Sequence, residues 1–194
     1  LDFTFNQKLD YKFFPRPHFT SKDSSIVENQ KNIAEISQIK IYVSLDNLLS
    51  TKNFNINEVI FEKANFELNN KNSNFFFKIL KNNFLGANLK IQNSNFFFRN
   101  LEKEVLFINK IKNMNYYYDQ SELKNILYSE NEIFNIPFSL EVIDDEDKKK
   151  LYSKLNLDFS KLQVENIFNY DENTKSGSAN LFFNKKKSLL NYKT

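Results

Sequence analysis

FNINEVIFEKANFEL, residues 54–68, decides how this chain is read. Phe54 and Ile56 alternate with polar neighbours, then Val59 and Phe61 do, and then Ala64, Phe66 and Leu68. Successive side chains on a strand point to opposite faces, so this alternation is the mark of a half-buried strand. The frame slips twice, between Ile56 and Val59 and between Phe61 and Ala64. A slip of one residue moves the apolar set to the other face unless a bulge or a turn absorbs it. The stretch therefore reads as two strands with a tight break near Lys63.

Period two continues in both directions. Upstream, LDFTFNQKLDYKFF (1–14) reads as strand, and in QIKIYVSL (38–45) Ile39, Ile41, Val43 and Leu45 alternate with Lys40, Tyr42 and Ser44. Downstream, Leu89, Ile91, Phe96 and Phe98 form one set, and Val105, Phe107, Ile111, Met114, Tyr116 and Tyr118 the next. Phe134, Ile136, Phe138, Leu140 and Val142 alternate cleanly, with Pro137 on the polar phase, which suits an edge or a bulge. Residues 150–160, 161–170 and 178–192 add further strands, with DDEDKKK (144–150) and KSGS (175–178, containing Gly177) as turns. Three short stretches read as helical: 46–53 with Asp46 as N-cap and Leu48 and Leu49 inward, 74–83, and 121–129 with Ser121 as N-cap. The expected fold is mainly β: an antiparallel meander of short strands forming a curved sheet or groove, with one to three short helices. No composition break divides the chain, so 1–194 reads as a single β-rich domain.

Composition narrows the chemistry. The 194 residues include 22 Phe, 9 Tyr, 2 Gly, 3 Pro, one His and no Cys. Phe, Asn, Lys, Ile and Tyr are the residues an AT-rich genome favours, yet the apolar content is too high for a disordered chain. A net charge of +3 is too weak to name a nucleic-acid partner. Without cysteine there is no thiolate catalysis, no Cys-ligated zinc and no disulfide. Gly86 and Gly177 alone cannot build a glycine-rich phosphate loop. His18 has no second His, Cys or Gly-flanked Ser to work with, so packing is its default role. Asp144, Asp145, Glu146 and Asp147 offer oxygen ligands for calcium, but Lys148, Lys149 and Lys150 follow directly, and a solvated turn is the better reading. Lys185, Lys186 and Lys187 suit anionic head groups or a solvated hairpin edge, the second being the default. There is no apolar run of 18 residues. Leu1 in place of Met implies a piece of a longer chain, with any targeting segment upstream.

Pro15 and Pro17 flank Arg16 in FFPRPHF. Each lacks an N–H and fixes φ, so this point is a corner or an edge and not the middle of a paired strand. Arg16 beside Phe13 and Phe14 also suits a membrane surface.

Three segments carry a resemblance. KLDYKFFPRPHFTSKDSSI (8–26) is similar to the opening strand pair of the AsmA family of bacterial envelope proteins, with its FPRP corner. Residues 34–68 resemble that family's next block, a strand, an L-x-x-LL short helix and an I-x-x-V-x-F-x-x-A/P-x-F-x-L strand. Residues 88–113 resemble its later hairpin, with Ser94 where the family often has Gly. Residues 114–194 continue the strand pattern without a motif of that family. The resemblance implies a non-enzymatic protein of the Gram-negative periplasm, anchored in the inner membrane by a helix upstream of Leu1. It further implies a role in outer-membrane biogenesis and phospholipid handling, with no cofactor, metal or nucleic acid and with envelope proteins as further partners. The implied site is an apolar lining for phospholipid acyl chains: Ile39, Ile41, Val43, Leu45, Phe61, Phe66, Leu68, Leu89, Ile91, Phe96, Phe98, Phe138 and Leu140. The rival expectation is a closed β-sandwich that docks another envelope protein and binds no lipid.

Overall fold

The computed structural model describes residues 2–5, 8–28, 31–44, 55–69, 72, 86–171 and 174–193. They form one curved sheet of 13 strands. The strands are β1 (Asp2–Phe5), β2 (Asp10–Lys12), β3 (His18–Glu28), β4 (Lys31–Val43), β5 (Ile56–Leu68), β6 (Asn88–Arg99) and β7 (Val105–Asp119). They continue with β8 (Lys124–Ile133), β9 (Ile136–Asp145), β10 (Lys150–Leu157), β11 (Leu162–Asp171), β12 (Thr174–Phe183) and β13 (Lys186–Lys193). From β3 onward each strand pairs with the next in sequence. All pairs are antiparallel except β5–β6, which is parallel. The short strands β1 and β2 both pair with β3 and close that edge, and β13 is the other edge. One 3-10 turn, Asp158–Ser160, is the only helical element described.

The break expected near Lys63 is a left-handed kink inside a single strand, β5, across which the register with β4 and β6 does not change. Lys63 sits at φ 54° and absorbs the frame slip without ending the pairing. The same device recurs at the same level in neighbouring strands. Asp23 in β3 and Asn93 in β6 both sit at φ 50°, and the β7–β8 register shifts between Ile111 and Asn113. Ser37 of β4, opposite Lys63, donates its hydroxyl to the Lys63 carbonyl at 3.0 Å. In β6 the Ala64 N–H donates to Ser94 Oγ at 2.9 Å, and Ser94 Oγ donates to the Gln92 carbonyl at 2.7 Å. A line of kinks thus crosses β3 to β7 with one residue still facing one, and the exposed Ser37 and the buried Ser94 hydroxyls bond backbone groups along it. Asn93–Ser94 is therefore a kink within β6, and the hairpin that follows turns at 100–104.

Further expectations shift for local reasons. Residues 121–129 are not a helical turn: Asp119 accepts from the Ser121 and Glu122 N–H groups to make a tight turn, and β8 begins at Lys124. Gly177 lies in mid-strand opposite Phe168 and Tyr192 and not in a turn. A Cβ there would meet the Tyr192 ring at 2.3 Å, so glycine gives the ring room to cross β12 and donate its hydroxyl to Asn166 at 2.8 Å. Pro137 is the second residue of β9 and lies beyond the stretch that pairs with β10, which begins at Ser139. The helices expected at 46–53 and 74–83 lie outside the described residues.

Candidate functional face

One row of side chains runs across the sheet in register: Ile39, Phe61, Ile91, Met114, Ser129, Leu140, Leu155, Val164 and Leu181. The next row is Val59, Leu89, Tyr116, Leu127, Val142, Ser153, Asn166, Ala179 and Leu190. Both lie on one face, since the rows are two residues apart on every strand. The line of kinks keeps them there: in a regular strand Ala64 and Ser94, three residues after Phe61 and Ile91, would lie on the other side. The opposite face carries cross-strand ion pairs, among them Lys40–Glu62 at 3.1 Å and Lys110–Glu132 at 2.7 Å, together with one apolar row, Tyr117, Ile126, Ile143, Tyr152 and Ile167.

The apolar face changes character along the sheet. Ile39 is 1 % exposed, Phe61 2 %, Ile91 3 % and Met114 9 %. Leu140, Leu155 and Val164 are half-buried, and Leu181 and Leu190 reach 42 % and 64 %. The face is thus closed over β3 to β7 and progressively open over β9 to β13.

The residues expected to line a groove fall on both sides of this change. Ile39, Phe61, Phe66, Leu89 and Ile91 belong to the buried core, and Ile41, Phe96 and Leu140 pack at its margin. Phe66 stacks on Phe96 at 4.6 Å, and Phe98 stacks on Phe107 at 4.2 Å. Val43 is buried at the end of β4, while Leu68, Phe98 and Phe138 are half-buried. Leu45 lies outside the described residues. A side chain 1–3 % exposed has almost no surface to offer a ligand, so the buried members are packing residues. The accessible part of the same face belongs to Val142, Leu151, Leu155, Val164, Phe168, Leu181 and Leu190, none of which the reading above singled out. Their alternation was visible, but no motif drew attention to it.

The end of the apolar face at the 146–149 turn carries a polar border. Tyr170 donates its hydroxyl to Asp144 at 2.6 Å, and Asn125 donates to Glu146 at 3.4 Å. Burial pushes the Tyr116 phenol well above its ordinary range, and the Asp144 and Glu146 carboxylates add to this. Burial, then the hydrogen bond to Asp144, does the same to Tyr170. Asp145, on the opposite face, accepts the Lys148 N–H at 3.0 Å and pairs with its ammonium at 3.2 Å. Among the described residues no group of three or more His, Cys, Asp or Glu is placed to hold a metal ion.

The proline corner is tied to the polar face. The Arg16 guanidinium lies 4.3 Å over the Tyr42 ring and donates to Glu58 at 2.8 Å. Lys90 meets the other Glu58 oxygen at 2.6 Å. Burial works against the Glu58 charge, and the hydrogen bonds from Lys90 and Arg16 outweigh it, holding the carboxyl below its ordinary range. His18 is buried, stacks on Tyr42 at 4.9 Å and donates Nδ1–H to the Arg16 carbonyl at 2.7 Å. Arg16 is thus committed to the sheet, and His18 is a packing residue.

An open cleft of ≈ 680 Å³ crosses β6 to β9. Four of its five charged residues are paired, Lys110 with Glu132 and Lys112 with Glu130 at 3.8 Å, and the fifth is Asp158. No protein-family model matches the chain, and no curated protein matches it. The accessible apolar face of β9–β13 is therefore the candidate site on geometry alone.

Proposed function

We propose that this is a non-enzymatic, AsmA-like periplasmic protein of a Gram-negative bacterium, anchored in the inner membrane, that handles phospholipid during outer-membrane biogenesis. Its apolar sheet face takes the place of bilayer for acyl chains. The observation that carries this reading is the one continuous apolar face that passes from a closed core to an open surface within a single sheet. An acyl chain gains about 0.8 kcal/mol per methylene removed from water, so no covalent chemistry is needed to hold it. The half-buried Leu155 and Val164, flanked by Leu140 and Leu181, present such a surface two strands and more wide. The closed-sandwich alternative requires a second sheet over this face, and the described residues form one sheet only.

The test is lipid mass spectrometry on protein purified from its native membrane-containing cells. Phospholipid at near-stoichiometric amount is expected, and it falls several-fold when Leu155 and Val164 are both replaced by Lys. A lipid-free protein, or equal lipid on the double variant, overturns the reading.

A further inference from the structure

The hairpin turns at one end of the sheet carry side chains that folding does not explain. Three successive turns lie at that end, 134–135 between β8 and β9, 158–161 between β10 and β11, and 184–185 between β12 and β13. They stand two strands apart, so about 10 Å separates each from the next. Phe134, at the tip of the first, is 75 % exposed, and Phe159 in the second is 82 % exposed. Phe183, the last residue before the third, is 46 % exposed. Two-residue hairpin turns with positive φ at both positions favour Asn and Gly. Phe134 nevertheless sits at φ 52°, a conformation a bulky side chain adopts at a cost, and its ring gains no burial in return.

Charge accompanies these aromatics. Lys161, Lys185, Lys186 and Lys187 lie on or beside the turns, against one carboxylate, Asp158. Three positive charges therefore remain, equal to the formal net charge of the whole chain, +3. Among the described residues no carboxylate pairs with any of these lysines, and Lys187 instead lies 5.4 Å over the Phe182 ring. Glu132, just before the first turn, is neutralised by Lys110 at 2.7 Å. The next turn along, 100–104, also exposes Leu101, but Glu102 and Glu104 outnumber Lys103 there, so the basic arc ends at β8.

We infer that this rim, Phe134, Phe159 and Phe183 with Lys161 and Lys185–Lys187, docks on the surface of an anionic lipid bilayer. Protruding aromatic tips enter the interfacial layer while the unpaired lysines meet the head groups, a pairing in which each basic residue and each buried ring adds independently. A protein partner would need a carboxylate-rich surface shaped to three separate tips, whereas a fluid bilayer accommodates them without matching shape. The rim stands on different residues from the acyl-chain face and holds whether or not that face carries lipid.

The chain has no tryptophan, so one introduced residue reports on its own surroundings. F159W should show a blue shift in emission with vesicles of phosphatidylcholine containing phosphatidylglycerol, and none with phosphatidylcholine alone. F14W, at the opposite end of the sheet and 80 % exposed, should not shift with either. Replacing Lys185, Lys186 and Lys187 with Glu in the F159W background should weaken vesicle binding by about tenfold or more. Phe134→Asn should weaken binding and raise the thermal midpoint, because it relieves the left-handed position; a purely structural Phe134 would lower it. No shift of F159W with either vesicle overturns the inference, as does a shift of F14W alone. A shift that appears on raising protein concentration without vesicles assigns the rim to a second copy and also overturns it.

Discussion

Glu58 shows how a single side chain can organise one end of the sheet. Its carboxylate is buried on the polar face and holds Arg16 from the proline corner and Lys90 from β6. Arg16 is mostly exposed, so its half of the interaction is screened. Glu58→Gln is expected to destabilise the protein by about 1–2 kcal/mol at neutral pH. The sign of the pH dependence follows from a folded carboxyl held below the unfolded one. Its stabilisation is present above the ordinary carboxylate range and is lost as pH falls through the folded value. Urea unfolding across pH should therefore show wild type and Glu58→Gln converging in acid, and a constant gap would contradict this. FFPRPHF was legible as a corner because proline cannot complete a ladder. The partners of Arg16 were not legible, because Tyr42 and Glu58 are distant in sequence and only the β3–β4–β5 register brings them together.

At the scale of elements, the line of left-handed kinks is what lets long strands keep one apolar face. Ser94 is its central support, since Ala64 is fully buried and its N–H has Ser94 Oγ as acceptor. Ser94→Ala is expected to cost about 1–3 kcal/mol by leaving that N–H unsatisfied, measured by chemical denaturation. Ser94→Thr, which keeps the hydroxyl, should recover part of the loss. Among the described residues the alternation that reads as strand survives in β4 to β7 and in β9 to β13, so those strands and the sheet were legible. The break near Lys63 is not a break, because a frame slip looks the same in sequence whether a turn or a kink within the strand absorbs it. Only the neighbouring slips between Ile91 and Ser94 and between Ile111 and Met114, stacked at the same level, distinguish the two. KSGS misled in the same way: glycine marks either a turn or a close approach, and here it is the Tyr192 ring that approaches.

Across the whole molecule, the gradient in burial is the feature with the most consequence. Backbone amides of β4 to β7, beneath the closed core, should exchange with solvent far more slowly than those of β11 to β13, where no residue of the apolar face is fully buried. Uniform protection across the sheet would contradict a face that opens. The apolar phase could be read residue by residue from the sequence, but the point at which it opens could not, because strand alternation looks alike whether the face is covered or bare. Ile39, Phe61 and Ile91 lie in the buried core, and Leu155 and Val164 stand half-buried on the same face, a difference the alternation does not carry. Leu155 and Lys154 are neighbours on β10 that point to opposite faces, which makes them the natural pair for a direct test. A photoreactive amino acid placed at each position in turn, irradiated in cells and analysed by mass spectrometry, reports what each face touches. Phospholipid adducts are expected at position 155 and none at 154; adducts at both positions alike, or none at 155, would rule out an acyl-chain face.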